Sequence, residues 1–335
     1  MCEAVDRLWE ILASGNNSRD QMPLFDMYVM VDWSGSDRRR AARPDCIWIA
    51  HGSAEAVAPI TVSPASRTEA ERIIHAEIQS VVARNKGRVL LCADFGYGYP
   101  AGFASLLPNT CFAELPAWRI VWQYLRNHIQ DDIGTKPGQQ PNNHSNRFAV
   151  ANEINAQVSS PIARGPFWCF FKPNKNTCVP QNKPRQPFVS RSTSIAALRI
   201  TDRRAKSDTP FRLFGTGSVG SQVLTGIPRL ENLRFDPLFS RCSAVWPFET
   251  GWAPAVGTWL DPELRVLHAE IYPSVRAPLP DTIKNRGQVR AMWHWARDLD
   301  ATNSLGTEFA TPHGITSGSA EDHIIRFEEG WILGC

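Results

Sequence analysis

Two apolar stretches of the chain each run into an aspartate that is followed at once by a glycine-containing turn. Tyr28-Val29-Met30-Val31 precedes Asp32, and the turn Trp33-Ser34-Gly35-Ser36 follows it. Val89-Leu90-Leu91-Cys92-Ala93 precedes Asp94, and Phe95-Gly96-Tyr97-Gly98-Tyr99-Pro100 follows it. Short apolar runs bounded by turn residues are typical of buried strands. Side by side in one sheet, two such strand tips would form an acidic pocket that suits a metal ion or a phosphate.

The segments between and around these two strands predict an α/β fold. Cys46-Ile47-Trp48-Ile49-Ala50 is predicted to return as a second strand, which gives a hairpin. Ser66-Arg67-Thr68-Glu69 has the form of a capping box and begins a predicted helix that Asn85-Lys86-Gly87 ends. A hairpin, a crossover helix and another apolar strand indicate a mixed sheet flanked by helices.

Further along the chain, apolar residues at helical spacing predict helices over 117–130, 146–158 and 288–299. Val266-Leu267-His268-Ala269-Glu270-Ile271 is predicted to be another strand. Residues 159–212 show little regular pattern and are heavily basic, which indicates a loop-rich insertion or lid over the sheet. We therefore expect a single domain over residues 22–335, preceded by an N-terminal extension over residues 1–21.

Composition limits the classes of function. The 36 basic and 33 acidic residues give a net charge of +3, which excludes a general polyanion binder but allows a local basic patch. The eight cysteines form no Cys-x-x-Cys pair, and several lie in apolar runs, as reduced thiols do. No stretch approaches the roughly 20 apolar residues that span a bilayer. We expect a cytoplasmic protein without a membrane partner.

The carboxylates at the predicted strand ends are candidate metal ligands. Asp32, Asp94 and Glu270 each lie on or just past an apolar strand. Mg²⁺ and Mn²⁺ prefer carboxylate and water oxygens, so three converging strand ends predict a site for one of these cations. The same residues also fit simpler roles, because aspartate before serine or glycine often caps a turn, and Glu270 stands just before a Tyr-Pro step that can mark a strand end.

Three motifs carry a resemblance to a known family. Val31-Asp32-Trp33-Ser34-Gly35, Asp94 with its Gly-Tyr-Gly-Tyr-Pro turn, and Ala269-Glu270-Ile271-Tyr272-Pro273 resemble the core motifs of an uncharacterised bacterial family of predicted ribonuclease-H-like nucleases. The resemblance covers roughly residues 24–335. Four further segments resemble one subgroup of that family, whose members are sometimes labelled molybdopterin guanine dinucleotide or cobalamin synthesis proteins. These segments are 165–168, 214–222, 226–228 and 328–334.

The resemblance implies a ribonuclease-H-like fold and metal-dependent cleavage of a phosphodiester. Nucleases of that fold use about four carboxylates to hold two metals, which activate water and stabilise the departing oxygen. Asp32, Asp94 and Glu270 supply three in this chain. The fourth is expected from the C-terminal region, where the candidates are Asp298, Asp300, Glu321, Asp322, Glu328 and Glu329. We favour Asp298, because it shares a predicted helix with apolar Val289, Met292 and Trp293.

The substrate of such an enzyme would be a nucleic acid or a phosphorylated small molecule. Ser34, Gly35 and Gly96, in the turns after the two aspartates, are candidates for phosphate contact. Arg203, Arg204 and Lys206 in the basic insertion would steer the phosphate. Aromatic residues of the same insertion, Trp168, Phe170, Phe171 and Phe188, offer faces on which bases could stack.

A glycine-rich turn offers a further phosphate site. Gly215-x-Gly217-x-x-Gly220 fits the dinucleotide-binding pattern, but it fits equally a phosphate-cradling turn or a plain tight turn. Gly226 and Pro228 are expected to end the following helix within two turns, which is too short for a dinucleotide-binding crossover.

Two other functions remain open at the level of sequence. Actin-like ATPases and sugar kinases also hold phosphates on Asp-Gly turns, although they need two duplicated domains and this chain shows no repeat. A non-catalytic protein of the same fold would bind a nucleotide or a pterin-like cofactor without turnover. A missing fourth carboxylate would favour this last function.

Overall fold

The first strands of the chain form where the apolar runs predict them. The computed structural model describes residues 23–85, 87–107, 114–158, 164–170, 178–190, 193–215, 217–254 and 260–335. The predicted N-terminal extension, residues 1–21, lies outside the described residues. The strands are β1 Met27–Asp32, β2 Trp48–Ser53, β3 Ile60–Val62, β4 Val89–Ala93, β5 Phe188–Val189, β6 Ser194–Ile195, β7 Ser243–Val245 and β8 Val266–Glu270.

The helices account for the crossovers and for the outer layers. They are α1 Arg67–Asn85, α2 Ala117–His128, α3 Arg147–Val158, α4 Ile200–Ala205, α5 Gly220–Arg234, α6 Lys284–Ala301, α7 Leu305–Glu308 and α8 Ala320–Ile324. None of the helices among the described residues combines the length and the apolar character that a membrane crossing needs.

Six of the strands form one mixed sheet in the order β3-β2-β1-β4-β8-β7. β1 and β2 pair antiparallel as the predicted hairpin, and β3 pairs antiparallel with β2. β4 is parallel to β1, β8 is parallel to β4, and β7 is parallel to β8. The carboxyl ends of β1, β4 and β8 therefore meet at one edge of the sheet.

Alternate residues of the strands pack into two cores on opposite faces of the sheet. Val29, Val31 and Leu91 face the core that also contains apolar residues of α1, α2, α3 and α5. Tyr28, Met30 and Cys92 face the core that contains Val289, Trp293 and other residues of α6 and α7. Because side chains alternate along a strand, two buried faces require the nearly uninterrupted apolar runs seen in the sequence. The predicted α/β class, with a mixed sheet flanked by helices, is confirmed.

The basic segment 159–212 is in part a packed element. Its described residues include the hairpin of β5 and β6 and the short helix α4. Phe167, Trp168, Phe188 and Ile195 are buried in the first core. Described parts of this predicted insertion thus contribute to the core.

The predicted break at Gly226 and Pro228 is wrong. α5 continues through both residues to Arg234, with Pro228 inside the helix. Most side chains of α5 are buried, and burial against the sheet outweighs the low helix propensity of these two residues. Gly226 has a packing role, since a Cβ there would lie 2.6 Å from the ring of Phe95.

Candidate functional site

Asp32 and Asp94 lie side by side at the carboxyl edge of the sheet. β1 and β4 are parallel, with Val31 opposite Ala93, so the next residue of each strand reaches the same level. Asp94 continues the ladder by donating its backbone N–H to Val31 O at 3.0 Å. Trp33 N–H donates to Asp94 Oδ1 at 2.6 Å, which orients that carboxylate. The two predicted strand tips are thus brought together.

The pKa of each of the two carboxyls is raised. Burial raises the pKa of Asp32 to about 6, although hydrogen bonds with Asn285 and Asp94 lower it in part. Burial also raises the pKa of Asp94 well above its usual value, and the charge of Asp32 raises it further. Like charges in a poorly solvated site repel each other, so ionisation of one carboxyl disfavours ionisation of the other.

Nothing basic neutralises this pair directly. Asp32 is only 3% exposed, yet among the described residues no Lys, Arg or His nitrogen lies within 4.0 Å of either carboxylate. Buried carboxylates are normally paired with a cation or bind a metal. The Asp32–Asp94 pair therefore has the oxygen ligands that a hard divalent cation prefers, and the side-chain amide of Asn285 donates a hydrogen bond to Asp32.

Glu270 lies on the other face of the sheet. It is opposite Ala93 in the β4–β8 ladder, so Ile271 is the residue of that strand level with Asp94. Since neighbouring residues of a strand point to opposite faces, the register turns the side chain of Glu270 away from the face of Asp94, although both residues line one small cavity together with Gly96 and Arg199. Within the described residues, no cluster of three or more His, Cys, Asp or Glu side chains is arranged to hold a metal.

A buried arginine occupies both oxygens of Glu270. Arg199 donates from Nη2 to Glu270 Oε1 at 2.6 Å and from Nη1 to Oε2 at 2.7 Å. It also binds Asp202 at 2.7 Å, and Tyr97 N–H donates to Glu270 Oε2 at 2.9 Å. Burial raises the pKa of Glu270 and Arg199 offsets part of that rise. Burial alone would lower the pKa of Arg199, but Asp202 and Glu270 hold it well above its usual value.

Asp298 lies far from the pair along its helix. α6 begins beside Asp32 at Lys284 and Asn285, and Asp298 is more than three turns further on, about 20 Å at 1.5 Å per residue. Its side chain is exposed and pairs with Arg297 at 2.5 Å. The structure does not bring this predicted fourth carboxylate to the site.

The remaining predicted carboxylates serve the scaffold. Asp300 accepts N–H bonds from Leu24 and Phe25. Glu328 and Glu329 accept backbone N–H groups of Gly102 and Ala101, which ties the C-terminal segment to the turn after β4.

The carboxylate pair forms part of the lining of an open cleft of about 1170 Å³. Predicted site residues that line it are Asp32, Asp94, Ser34, Gly35, Lys206, Gly215 and Gly217. Its basic lining residues are Arg38, Arg40, Arg147, Lys206, Arg212 and Lys284. Asp37, Asp45 and Asp208 also line the cleft, and Asp37 and Asp208 pair with Arg147 and Arg212. The cleft thus places the two strand-end carboxylates and several basic side chains together, a combination that suits a metal and a phosphate.

Besides Glu270 and Asp298, four predicted residues lie outside this cleft lining. Gly96 faces an adjoining small cavity that Asp94, Arg199 and Glu270 line. Gly220 packs against backbone, since a Cβ there would lie 2.6 Å from Arg212 O. Arg203 donates to Leu198 O at 3.0 Å, and Arg204 donates to His313 O and stacks over Trp331.

The turn after Asp32 is fixed by tight contacts. A Cβ on Gly35 would lie 2.6 Å from Ser221 Cβ, so only glycine allows the turn to approach the start of α5. Gln222 Nε2 donates to Trp33 O at 2.7 Å. On the other side, buried Arg67 donates to Ser36 O at 2.8 Å and forms an ion pair with Asp131 at 2.6 Å. These contacts hold Asp32 in place before any ligand arrives.

No sequence pattern predicts several of the residues that surround Asp32. Lys284 and Asn285 stand before the apolar pattern of α6, in a stretch without a motif. The sequence pattern predicts that Arg67 belongs to a helix cap, whereas its guanidinium donates to the backbone carbonyls of Ser34 and Ser36. Only the tertiary fold brings these segments together.

Comparison with known proteins adds no relative to this description. No family model, curated protein or solved structure matches the chain. The functional argument therefore depends on the geometry of the cleft.

The glycine-rich turn lacks the context of a dinucleotide site. The segment before it makes an isolated bridge between Arg212 and Trp168, outside the six-stranded sheet. A dinucleotide-binding turn follows a strand of the main sheet. The turn instead forms part of the cleft wall and leads into the N-terminus of α5.

Proposed function

We propose that this protein is a divalent-metal-dependent phosphoester hydrolase of ribonuclease-H-like fold, acting on nucleic acid or a nucleotide with Mg²⁺ or Mn²⁺. The observation that carries the proposal is the Asp32–Asp94 pair at the sheet edge, in which Asp32 is buried, the pKa of each carboxyl is raised, and no basic nitrogen of the described residues lies within 4.0 Å. A hairpin followed by parallel strands that deliver two aspartates to one edge supports the fold assignment.

The pair suits one resident cation. Asp32 and Asp94 supply two oxygens of the kind that Mg²⁺ prefers, and the Asn285 amide lies beside them. When bound, the cation would lower the pKa of a bound water and stabilise the departing oxygen of the phosphoester. The chain's own contribution is to hold both carboxylates in register and to keep Asp94 oriented through Trp33 N–H.

The cleft walls favour a phosphate beside the pair. Lys206 and Lys284 are exposed, line the cleft and have no acidic partner within 4.0 Å among the described residues. The N-termini of α5 and α6 open on the same cleft, and the positive ends of helix dipoles favour anions. These features would hold the phosphate with its scissile bond at the metal.

A metal titration tests the proposal. We expect Mg²⁺ and Mn²⁺ to bind the wild-type protein in calorimetry, and the Asp32→Asn/Asp94→Asn variant to lose more than about 100-fold in affinity, because even ligand-supporting contacts account for 10–100-fold. Metal-dependent cleavage of a labelled oligonucleotide should be lost with it. Asp298→Asn is the matched control, since Asp298 is an exposed aspartate at the far end of α6. Equal metal affinity in the double variant and the wild type would refute the proposal.

A second function is favoured by one observation. Glu270 is engaged by Arg199, which leaves two strand-end carboxylates for a metal. A protein that binds a nucleotide or cofactor through such a site without turnover would retain metal-dependent ligand binding in the titration above and show no cleavage.

A further inference from the structure

Two large aromatic side chains are exposed at the rim of the cleft. Phe170 is 59% exposed and Phe214 is 51% exposed, although phenylalanine is among the residues most often buried. Phe214 lines the cleft that contains Asp32 and Asp94. Phe170 lies against the next residue of the chain, since a Cβ on Gly215 would come within 2.8 Å of the Phe170 ring. We call these two residues the aromatic rim.

The aromatic rim is held by the core. Leu213 N–H donates to Trp168 O at 2.9 Å, and Trp168 N–H donates to Phe211 O at 3.0 Å, which fixes the backbone beside both rings. Phe170 packs edge-on against Trp168 at 5.1 Å between ring centroids. The Arg212 guanidinium lies 5.7 Å from the Phe170 ring and pairs with Asp208 at 2.8 Å. The rings are therefore positioned before a ligand binds.

The rim is linked to the carboxylate pair by a short chain of contacts. Ser221 Oγ donates to Leu213 O at 2.6 Å, one residue before Phe214. Ser221 in turn packs against Gly35, in the turn that follows Asp32. A ligand whose phosphate lies at the pair would therefore have its neighbouring groups within the same cleft as Phe214.

The size and charge of the cleft indicate which class of aromatic ligand it can bind. Its volume of about 1170 Å³ exceeds the roughly 300–1000 Å³ of sites that enclose a drug-sized molecule, and it is open along one side. Lys206 and Lys284 provide cationic groups along it. A cationic groove with exposed aromatic faces is the arrangement that binds single-stranded nucleic acid, because bases stack on the rings while phosphates meet the cations. A duplex keeps its base faces covered.

We propose that the cleft binds single-stranded nucleic acid, with an unpaired base stacked on Phe214. Phe170 packs against the neighbouring Gly215, and Lys206 and Lys284 contact the backbone phosphates. This inference rests on the proposed phosphoester hydrolase function, because it places the phosphate at the Asp32–Asp94 pair. It adds that the enzyme distinguishes an unpaired strand from a duplex.

Binding of two strands of equal charge tests the stacking. The probes are a fluorescein-labelled oligothymidylate and an abasic strand of the same length, measured by anisotropy with Ca²⁺ in place of Mg²⁺. We expect the thymidylate to bind about 5- to 150-fold more tightly than the abasic strand. Phe214→Ala should remove that difference and leave abasic binding unchanged, whereas Phe214→Trp should keep it. Leu238→Ala is the control, as Leu238 is an exposed apolar residue outside the cleft lining.

Two results would overturn the inference: equal binding of both strands by the wild type, or binding of a duplex as tight as that of the single strand. Cleavage assays with Mg²⁺ separate this failure from failure of the proposed function. Equal cleavage of both strands would retain the hydrolase and reject the stacking. Binding that depends on Phe214, without cleavage of either strand, would retain the stacking and reject turnover.

Discussion

Asp32 and Asp94 have higher pKa values than exposed aspartates. Burial raises the pKa of each carboxyl, and the charge of Asp32 raises that of Asp94 further. At pH values above the acidic range, these two carboxyls therefore lower the stability of the folded protein. A functional site that costs stability is a common compromise in proteins.

The stability of the protein should depend on pH through Asp32. The pKa of Asp32 is raised to about 6, so the unfolded chain loses this proton at lower pH than the folded protein does. The stabilising contribution of protonated Asp32 is complete below about pH 4 and is lost as the pH rises through about 6. Its size is of the order of 3 kcal/mol, because each pKa unit corresponds to about 1.4 kcal/mol. Asp32→Asn should remove this dependence and raise Tm at pH 7.5. Thermal unfolding across this pH range measures it, and parallel curves for both proteins would contradict it.

At the scale of elements, the contact between the Asp32 turn and the start of α5 depends on one glycine. In Gly35→Ala the new methyl group would meet backbone and Cβ atoms of Ser221, so the turn or the helix must shift. We expect a loss of about 1–3 kcal/mol in the free energy of unfolding, as overpacking gives, together with weaker metal binding. Chemical denaturation and calorimetry measure the two effects.

Gly306→Ala is the matched control for that substitution. Gly306 lies in α7, where a Cβ would meet its nearest neighbour, Leu24, at 3.7 Å. Alanine at such a helical position is neutral or stabilising by a few tenths to about 1 kcal/mol. A Gly35→Ala protein as stable as Gly306→Ala would show that the turn and α5 do not need their close approach.

The elements also show what the sequence could and could not predict. The apolar runs of β1 and β4 predicted two neighbouring strands with Asp32 and Asp94 at their tips, because burial on both faces leaves a clear pattern. The face to which Glu270 points depends on the register of β8 against β4, which no local pattern contains. The length of α5 was underestimated for a similar reason, since its burial against the sheet overrides Gly226 and Pro228.

At the scale of the whole molecule, Glu270 joins distant parts of the chain. Its side chain binds Arg199 and Tyr97 N–H, and its backbone carbonyl accepts a hydrogen bond from Leu333 N–H at 2.8 Å. The strand face of Glu270 and its arginine partner direct it away from the Asp32–Asp94 pair and make it a connection between β8, the basic segment and the C-terminal residues.

Replacing Glu270 distinguishes this structural role from metal binding. Glu270→Gln should lower the free energy of unfolding by about 1–3 kcal/mol, because one charged hydrogen-bond partner of buried Arg199 is lost while Asp202 remains. The affinity for Mg²⁺ should stay within twofold of the wild type. Glu263→Gln, at an exposed glutamate, is the control. A loss of metal affinity as large as that of the Asp32→Asn/Asp94→Asn variant would instead make Glu270 a ligand.

The raised pKa values of Asp32 and Asp94 would also affect binding of the proposed cation. A metal ion that binds these carboxyls would displace any proton they hold and release it to the buffer. The heat of metal binding would then include the ionisation enthalpy of the buffer. Protons and metal ions would compete directly for this site. A rise in pH and a rise in Mg²⁺ concentration would therefore both increase its occupancy by the metal.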